Sequence, residues 1–229
     1  MSNKTLLVSD YDDTLNIEKE KNLKYIKKFM KNNIFVIATG RSYISIKQRL
    51  KIDMNGLMPD YLITNHGATI LNNKNEVINT HFIEKEIVNK ILTLIDKKIT
   101  YKINFYGAKK FNENINKIML IFKSIDEATY TFNKIKKSNL VTVYLINREG
   151  KFPKVEIINK NVNKAKAIEF IEELENPNKI EVIGDGPQDI EMIKEYKGNC
   201  VMNAVREVKK ISKKQYKYVY ELIQELEDN

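Results

Sequence analysis

The sequence predicts an α/β fold in which a core of parallel strands and helices carries a smaller, inserted α+β domain. Near both ends of the chain, short apolar runs alternate with segments of helical periodicity, as is typical of βα units. In the middle of the chain the apolar runs come in adjacent pairs, which favours antiparallel strands. We therefore place the core at residues 1–81 and 158–229 and the inserted domain at residues 82–157.

Four short apolar runs predict the central strands of the core, at residues 4–9, 34–38, 60–64 and 180–183. Helical spacing of apolar residues follows the first two runs, over residues 20–32 and through Ile44, Ile46 and Leu50. In the tail, the segment YKYVY predicts a strand, and the residues after it predict an amphipathic helix. Strands and helices that alternate in this way build a parallel sheet with right-handed crossovers.

The inserted domain is predicted to contain two helices and four strands. The helices cover residues 84–97 and 126–137, and the strands cover residues 100–106, 117–122, 140–145 and 153–157. Two polar segments, Asn79-Thr80-His81 and Asn159-Lys160-Asn161, are the expected points where the chain passes between the domains.

The composition indicates a folded protein from a reducing compartment. Of the 229 residues, 42% are hydrophobic, which provides a packed core and excludes a disordered chain. No apolar run approaches the roughly 20 residues of a membrane-spanning helix, and the polar start MSNKT lacks the pattern of a signal peptide. The single Cys200 excludes an internal disulfide, and we expect it to be buried and inert. We expect a cytoplasmic protein without a membrane partner.

The net charge of +9 raises the question of nucleic-acid binding. The excess is almost wholly lysine, because the only arginines are Arg41, Arg49, Arg148 and Arg206. Base and phosphate recognition usually draws on the bidentate guanidinium group of arginine. We therefore expect no nucleic-acid partner, whereas a small phosphorylated metabolite suits a basic surface.

Polar residues follow the predicted strands at the points where the strands end. They are Asp10 and Asp12 after the first strand, Thr39, Gly40 and Arg41 after the second, and Asp185 and Asp189 after the fourth. Lys164 stands at the start of the helix after the insertion. Because open α/β sheets bind ligands beyond the carboxyl ends of their strands, we expect these side chains to converge. Carboxylates, a hydroxyl and an ammonium group are what a phosphate held by Mg²⁺ requires.

The segment from Asp10 to Leu15 has the form D-x-D-x-T-L, which resembles the nucleophile motif of the haloacid dehalogenase (HAD) superfamily of phosphohydrolases. The other motifs of that superfamily have similar counterparts in the same order, namely Ala38-Thr39-Gly40-Arg41, Lys164 within Asn163-Lys164-Ala165-Lys166-Ala167, and Gly184-Asp185-Gly186-Pro187-Gln188-Asp189. Asn65-His66-Gly67-Ala68 and Val201-Met202-Asn203-Ala204 resemble its Cof-like, sugar-phosphate phosphatase branch. The resemblance covers about residues 4–211. It implies a Rossmann-like core with an α+β cap of the C2 type.

The resemblance implies a Mg²⁺-dependent phosphatase that works through an aspartyl-phosphate. Asp10 is then the nucleophile, and Asp12 is the acid that protonates the leaving oxygen and the base that activates water. Thr39 and Lys164 contact the phosphoryl group. The expected metal site consists of the side chains of Asp10 and Asp185 and the backbone carbonyl of Asp12, with Asp189 orienting this set.

Further residues are expected to bind the substrate: Gly40, Arg41, Asn65, Lys154, Glu156, Gln188 and Asn203. Lys154 and Glu156 lie in the inserted cap, which can close over the strand ends and read the leaving group. Gln188 stands where this branch usually has asparagine, so its reach differs. His66 stands where many relatives have glycine, which suggests an imidazole at the rim of the cleft. We expect His66 and His81 to be structural or exposed and not metal ligands.

Two other functions remain open at the level of the sequence. A phosphomutase or phosphotransferase would use the same aspartyl-phosphate but pass the phosphoryl group to a sugar hydroxyl. A non-catalytic binding protein is also conceivable, although the intact set of Asp10, Asp12, Lys164 and Asp185 argues against it. Each of these aspartates also has an ordinary interpretation as a helix cap or turn former. The chain is expected to be a monomer or a homodimer.

Overall fold

A computed structural model describes residues 4–110 and 114–228 of the chain. The chain divides into two compact units. One unit combines the segment that ends at Ile78 with the segment that begins at Asn163, and the other unit is Asn79–Val162.

The described residues contain twelve strands. In chain order they are β1 (Thr5–Ser9), β2 (Ile34–Ala38), β3 (Tyr61–Thr64), β4 (Thr69–Asn72), β5 (Val77–Thr80), β6 (Thr100–Tyr106), β7 (Lys117–Phe122), β8 (Val141–Ile146), β9 (Lys154–Asn159), β10 (Lys179–Gly184), β11 (Asn199–Val201) and β12 (Gln215–Tyr216).

Eight α-helices accompany these strands in the same part of the chain. They are α1 (Lys19–Phe29), α2 (Tyr43–Asp53), α3 (Lys85–Leu94), α4 (Ile125–Ser138), α5 (Lys164–Glu175), α6 (Ile190–Glu195), α7 (Arg206–Ile211) and α8 (Val219–Asp228). Short helical turns at Tyr11–Leu15, Asn65–Gly67 and Pro187–Asp189 follow β1, β3 and β10.

The first unit is built on one sheet with the strand order β12-β11-β10-β1-β2-β3-β4-β5. The strands from β12 to β3 run parallel to their neighbours, and Val8 at the centre lies in register with Val36 and Val182. The predicted α/β fold with parallel central strands is confirmed. Because β1, β2, β3 and β10 are parallel, the polar residues that follow them all lie at the carboxyl-terminal end of the sheet.

Helices cover both faces of this sheet, because successive residues of its strands point to opposite sides. Leu7 and Phe35 pack on one side with residues of α1, α2 and α8, such as Ile26. Leu6 and Val36 pack on the other side with residues of α5, α6 and α7. The strands are therefore buried on both faces, which explains their continuous apolar runs.

The tail differs from its prediction. The strand β12 ends at Tyr216, and the helix α8 already begins at Val219, so YKYVY is not one strand. Val219, Leu222 and Ile223 have helical spacing and are buried against the core. Tertiary burial of this helical face outweighs the β propensity of the tyrosines and valine.

The sequence prediction also missed the antiparallel edge of the sheet. The strand β4 pairs antiparallel with β3 in the register Ile63 to Ile70, and β5 continues the edge. A tight turn joins the two strands, with Asn75 in the left-handed region at a φ of 61°. Cys200, on β11, is buried as predicted.

The second unit is an antiparallel sheet with the order β6-β7-β9-β8 and the helices α3 and α4. Every neighbouring pair of strands is antiparallel. Its core joins alternate residues of β7 and β9, such as Leu120 and Val155, to Ile91 of α3 and Ile135 of α4. The predicted two helices and four strands are all present. Ser124 and Glu127 form a capping box at the start of α4.

Among the described residues, no helix is both long enough and apolar enough to cross a membrane.

Candidate active site

Asp10 and Lys164 form a buried ion pair at the carboxyl end of β1. The amide of Asp10 donates to the carbonyl of Ile183 on β10, which fixes the residue at the edge of the sheet. Lys164 is the first residue of α5, and its fully buried Nζ lies 2.5 Å from Oδ1 of Asp10. Asn163 caps α5 by accepting a hydrogen bond from the Lys166 amide, which sets the direction in which the lysine leaves the helix.

Asp189 anchors both Lys164 and the loop after β10. Its Oδ1 accepts a hydrogen bond from Lys164 Nζ at 2.6 Å. Its Oδ2 accepts hydrogen bonds from the amides of Asp185 and Gly186, each at 3.0 Å. Since both carboxylate oxygens are occupied in this way, Asp189 is suited to orienting its neighbours.

Asp185 completes a group of three carboxylates. Its Oδ1 accepts a hydrogen bond from the hydroxyl of Thr14 at 2.7 Å. Carboxylate oxygens of Asp10, Asp185 and Asp189 lie within 4.8 Å of one another. Oδ2 of Asp10 is buried and has no hydrogen-bond partner among the described residues. An open carboxylate oxygen beside a second carboxylate is a donor set that fits a hard divalent cation.

The charges of this group are not balanced. Three carboxylates and the ammonium of Lys164 leave an excess of two negative charges when all four groups are ionised. Burial raises the pKa of Asp10 well above its ordinary value, although Lys164 opposes this. Burial and the charge of Asp189 raise the pKa of Asp185 to about 6. Both shifts indicate a site that gains from a bound cation.

The pKa of Lys164 is also raised, which for a lysine favours the charged form. Burial disfavours its ammonium group, but the negative charges of Asp10 and Asp189 outweigh burial and raise the pKa of Lys164. The lysine therefore remains charged at neutral pH and can neutralise an anion bound beside Asp10.

Arg41 holds Asp12 in a bidentate ion pair. Nε and Nη2 of Arg41 donate to the two carboxylate oxygens of Asp12 at 2.7 and 2.6 Å. Nη1 of Arg41 donates to the hydroxyl of Ser45 in the first turn of α2. The fork geometry fixes both the position and the plane of the Asp12 carboxylate.

Thr39 and Gly40 connect β2 to Arg41. Thr39 is fully buried, its amide donates to the carbonyl of Ile63, and its Oγ1 accepts the amide of Arg41 at 3.1 Å. This hydroxyl therefore lies in the same loop as Arg41, which binds Asp12.

Asn65 and His66 follow β3 and are both buried. The amide of Asn65 donates to the carbonyl of Arg41, and the amide of His66 donates to the carbonyl of Thr39. The imidazole of His66 packs on Gly40, where an added Cβ would lie 2.2 Å from the ring. The expectation of an imidazole at the rim is wrong, because the ring fills the space that glycine leaves inside the unit.

Asn203 and Gln188 contact loops at the carboxyl-terminal end of the sheet. Nδ2 of Asn203 donates to the carbonyl of Asp13 at 2.7 Å, and Asp13 has a φ of 62°. This bond ties the loop after β11 to the turn that carries Asp12. The half-buried Gln188 folds over Gly186, where an added Cβ would lie 2.3 Å from the amide nitrogen of the glutamine.

Lys154 and Glu156 lie in the second unit, on β9. Oε1 of Glu156 lies 3.5 Å from Nζ of Lys117 on β7, and both residues are buried. Lys117 also lies over the ring of Tyr106, with Nζ 4.9 Å from the centroid. Burial and the charge of Glu156 raise the pKa of Tyr106. Glu156, Lys117 and Tyr106 form a polar cluster on the sheet of this unit.

The prediction from sequence overlooked Thr14 and Ser45. Thr14 is part of the D-x-D-x-T-L segment, so its motif position could have indicated its bond to Asp185. Ser45 has no comparable signal, because its contact with Arg41 depends on where α2 packs.

The chain is similar to a known protein family and to proteins of two bacteria. A family model described as S6PP, sucrose-6F-phosphate phosphohydrolase, matches residues 3–222. A protein of Mycoplasma capricolum subsp. capricolum, described as uncharacterized, is 30% identical over 237 residues, covering 86% of this chain and 89% of the relative. A protein of Buchnera aphidicola subsp. Baizongia pistaciae, provisionally described as a phosphatase, is 28% identical over 232 residues, covering 86% of each chain.

Solved structures share the fold over nearly the whole chain. A provisionally described HAD/COF-like hydrolase from Plasmodium vivax has a TM-score of 0.81 at 19% identity, covering 99% of this chain and 96% of that one. A haloacid dehalogenase-like hydrolase from B. subtilis has a TM-score of 0.81 at 14% identity, with coverages of 99% and 100%. The resemblance drawn from the motifs is thereby confirmed. The chain belongs to the sucrose-6F-phosphate phosphohydrolase family of the HAD superfamily and is a phosphatase of the HAD type.

Proposed function

We propose that this phosphatase hydrolyses a small sugar phosphate in the cytoplasm, with Mg²⁺ as its cofactor and an aspartyl-phosphate on Asp10 as its intermediate. The observation that carries the proposal is the state of Asp10. One carboxylate oxygen of Asp10 is held by Lys164, and the other is buried and has no hydrogen-bond partner among the described residues. The free oxygen is the one that is available for nucleophilic attack or for a metal ion.

Asp10 and Asp185 are the residues that would hold Mg²⁺ through side-chain oxygens, and the motif resemblance adds the backbone carbonyl of Asp12. Asp189 would keep Asp185 and Lys164 in place through the bonds it already makes. When bound, Mg²⁺ offsets the excess negative charge of the site and polarises the phosphoryl group. The donors are all oxygen atoms, as this ion prefers.

The chain's own groups account for both half-reactions. A carboxylate oxygen of Asp10 attacks phosphorus, the bond from phosphorus to the ester oxygen breaks, and the protonated Asp12 gives its proton to the leaving oxygen. Asp12 then takes a proton from water, whose oxygen attacks phosphorus, so that inorganic phosphate leaves and Asp10 is restored. Lys164 and Thr39 stabilise the negative charge on the phosphoryl oxygens.

Arg41 controls the acid and base in this scheme. Its guanidinium group is bound to both oxygens of Asp12 and so holds the carboxylate that is to accept a proton from water in one orientation. Substrate must loosen one of these bonds before Asp12 can carry a proton. Gly40, Arg41, Asn65, Gln188 and Asn203 are the core residues to which we assign substrate contacts, and Lys154 and Glu156 are those of the second unit.

The test is phosphate release from a panel of sugar and polyol phosphates, with Mg²⁺ or with a chelator. We expect release that requires the metal and is absent in Asp10→Asn. An added excess of free sugar serves as an acceptor. If the phosphoryl group appears on the added sugar instead of in solution, the protein is a phosphotransferase. Release that persists in Asp10→Asn would contradict the nucleophile.

A further inference from the structure

Tyr11 lies between the two carboxylates of the first motif, and its hydroxyl is anchored away from both. The side chain is fully buried, and its hydroxyl donates to Oδ2 of Asp53 at 2.9 Å. Asp53 is the last residue of α2. The same carboxylate accepts a hydrogen bond from Lys19 at 2.7 Å and lies 3.4 Å from Nε of Arg49. The acceptor of Tyr11 is therefore a charged carboxylate that three groups hold in place.

The ring of Tyr11 faces Arg41. Cζ of Arg41 lies 6.0 Å from the ring centroid, at the outer limit of a cation–π contact. Arg41 in turn binds both oxygens of Asp12 and the hydroxyl of Ser45. The helix α2 thus contacts Arg41 through its first turn and Tyr11 through its last residue.

We propose that Tyr11 is a positioning residue for Asp12, acting through its bond to Asp53. This inference rests on the proposed function, in which Asp12 is the acid and base and must be correctly oriented. Tyr11 precedes Asp12 in the chain and also lies against the guanidinium group that holds Asp12. Because its hydroxyl is fixed on Asp53, the ring of Tyr11 limits the movement of the backbone that carries Asp12. It also limits the movement of the Arg41 guanidinium group.

Tyr11→Phe isolates this role, because the substitution keeps the buried ring and removes only the hydroxyl. Asp53 retains Lys19 and Arg49 as partners, so its charge stays compensated. The matched control is Tyr61→Phe, which also removes a hydrogen bond from a tyrosine to a carboxylate, that of Glu175. Tyr61 is the first residue of β3 and so lies at the amino-terminal end of the parallel strands, whereas Asp12 follows the carboxyl-terminal end of β1.

The first measurement is steady-state kinetics with an alkyl phosphate and an aryl phosphate. An alkyl leaving group needs the proton of Asp12, whereas an aryl leaving group needs little protonation. We expect Tyr11→Phe to lower kcat for the alkyl phosphate about tenfold and for the aryl phosphate less than about threefold, with KM unchanged, since misplacement of a catalytic group is costly. Tyr61→Phe is expected to leave both values at the wild-type level.

The second measurement does not depend on turnover. It is NMR spectroscopy of the arginine Nε–H groups in a ¹⁵N-labelled, metal-free sample. The chain has only four arginines, so these signals are few. The signal that disappears in Arg41→Lys is that of Arg41. We expect this signal to be slow in exchange with water in the wild type and in Tyr61→Phe. In Tyr11→Phe we expect it to shift and to exchange faster. Asp53→Asn is expected to change it in the same direction.

Equal losses for both substrates, or an Arg41 signal that is the same in Tyr11→Phe and wild type, would overturn the positioning role. If the wild type releases no phosphate from any ester, the proposed function fails. The Arg41 signal then decides by itself whether Tyr11 positions the Asp12–Arg41 pair.

Discussion

Lys164 and Asp10 are 154 positions apart in the sequence, and their side chains meet at 2.5 Å inside the protein. The lysine starts a helix that follows the second unit in the chain, and the aspartate directly follows the first strand of the sheet. Burial of a lysine is costly unless its charge is compensated, and here two carboxylates compensate it. The position of the proposed nucleophile and the stability of this end of the sheet therefore depend on the same contacts.

Replacing Lys164 by methionine should destabilise the protein by about 3–5 kcal/mol at pH 8, because Asp10 and Asp189 lose the cation that compensates their buried charge. The loss should shrink as the pH falls towards 5, because burial already raises the pKa of Asp10 and its protonated form needs no cation. Urea denaturation at both pH values measures this, with the exposed Lys166→Met as the control. A loss that is independent of pH would indicate a packing defect instead.

Replacing Asp185 by asparagine should stabilise the metal-free protein at pH 8. The pKa of Asp185 is about 6 against an ordinary value of 3.8, so its ionised form opposes folding above pH 6 by about 3 kcal/mol. This penalty fades as the pH falls through 6 towards 4. In thermal unfolding, the variant should gain stability without Mg²⁺ and lose the gain that Mg²⁺ gives the wild type. A variant that Mg²⁺ stabilises as much as the wild type would remove Asp185 from the metal site.

Asp10→Asn should reduce turnover by several orders of magnitude and leave the fold intact, because the amide has the same shape and is not nucleophilic. Phosphate release measures the first effect, and circular dichroism serves as the control for the fold. A variant that keeps a tenth of the wild-type rate would refute the nucleophile.

Asp12→Asn should cost about 10²–10⁴ in the rate with a sugar phosphate, which is the usual contribution of one acid–base group. An aryl phosphate should lose less in the first half-reaction, because its leaving group needs little protonation. Single-turnover kinetics separates this step from hydrolysis of the intermediate. Equal losses for both substrates would contradict the assignment of Asp12.

Lys154→Gln should change the ranking of sugar phosphates while the rate with a small aryl phosphate stays within about tenfold, since an aryl group offers few polar contacts. Glu156→Gln tests the same idea but also removes the negative charge beside the buried Lys117, so its thermal unfolding must be measured alongside. The exposed Lys151→Gln is the matched control. Parallel loss on both substrates, or no change on either, would refute selection by these residues.

The amino-acid sequence alone was enough to predict the four central strands of the core and the residue types of the site. The runs at β1, β2, β3 and β10 are largely apolar because both faces of these strands are buried. A local apolar run of this kind can be recognised in one sequence without a structure. The motif segments directly after these strands carry Asp10, Thr39 and Asp185. A parallel sheet brings such strand ends together whatever the details of packing.

The partner of each polar group depends on packing between elements that are distant in the sequence. No local pattern distinguishes His66 as a buried ring on Gly40, or links Tyr11 to Asp53 across 42 positions. The tail shows the same limit, since burial of Val219, Leu222 and Ile223 makes a helix where local propensity favours a strand. The physical reason is that periodicity records which face of an element is buried, whereas hydrogen bonds between distant residues depend on how the elements pack.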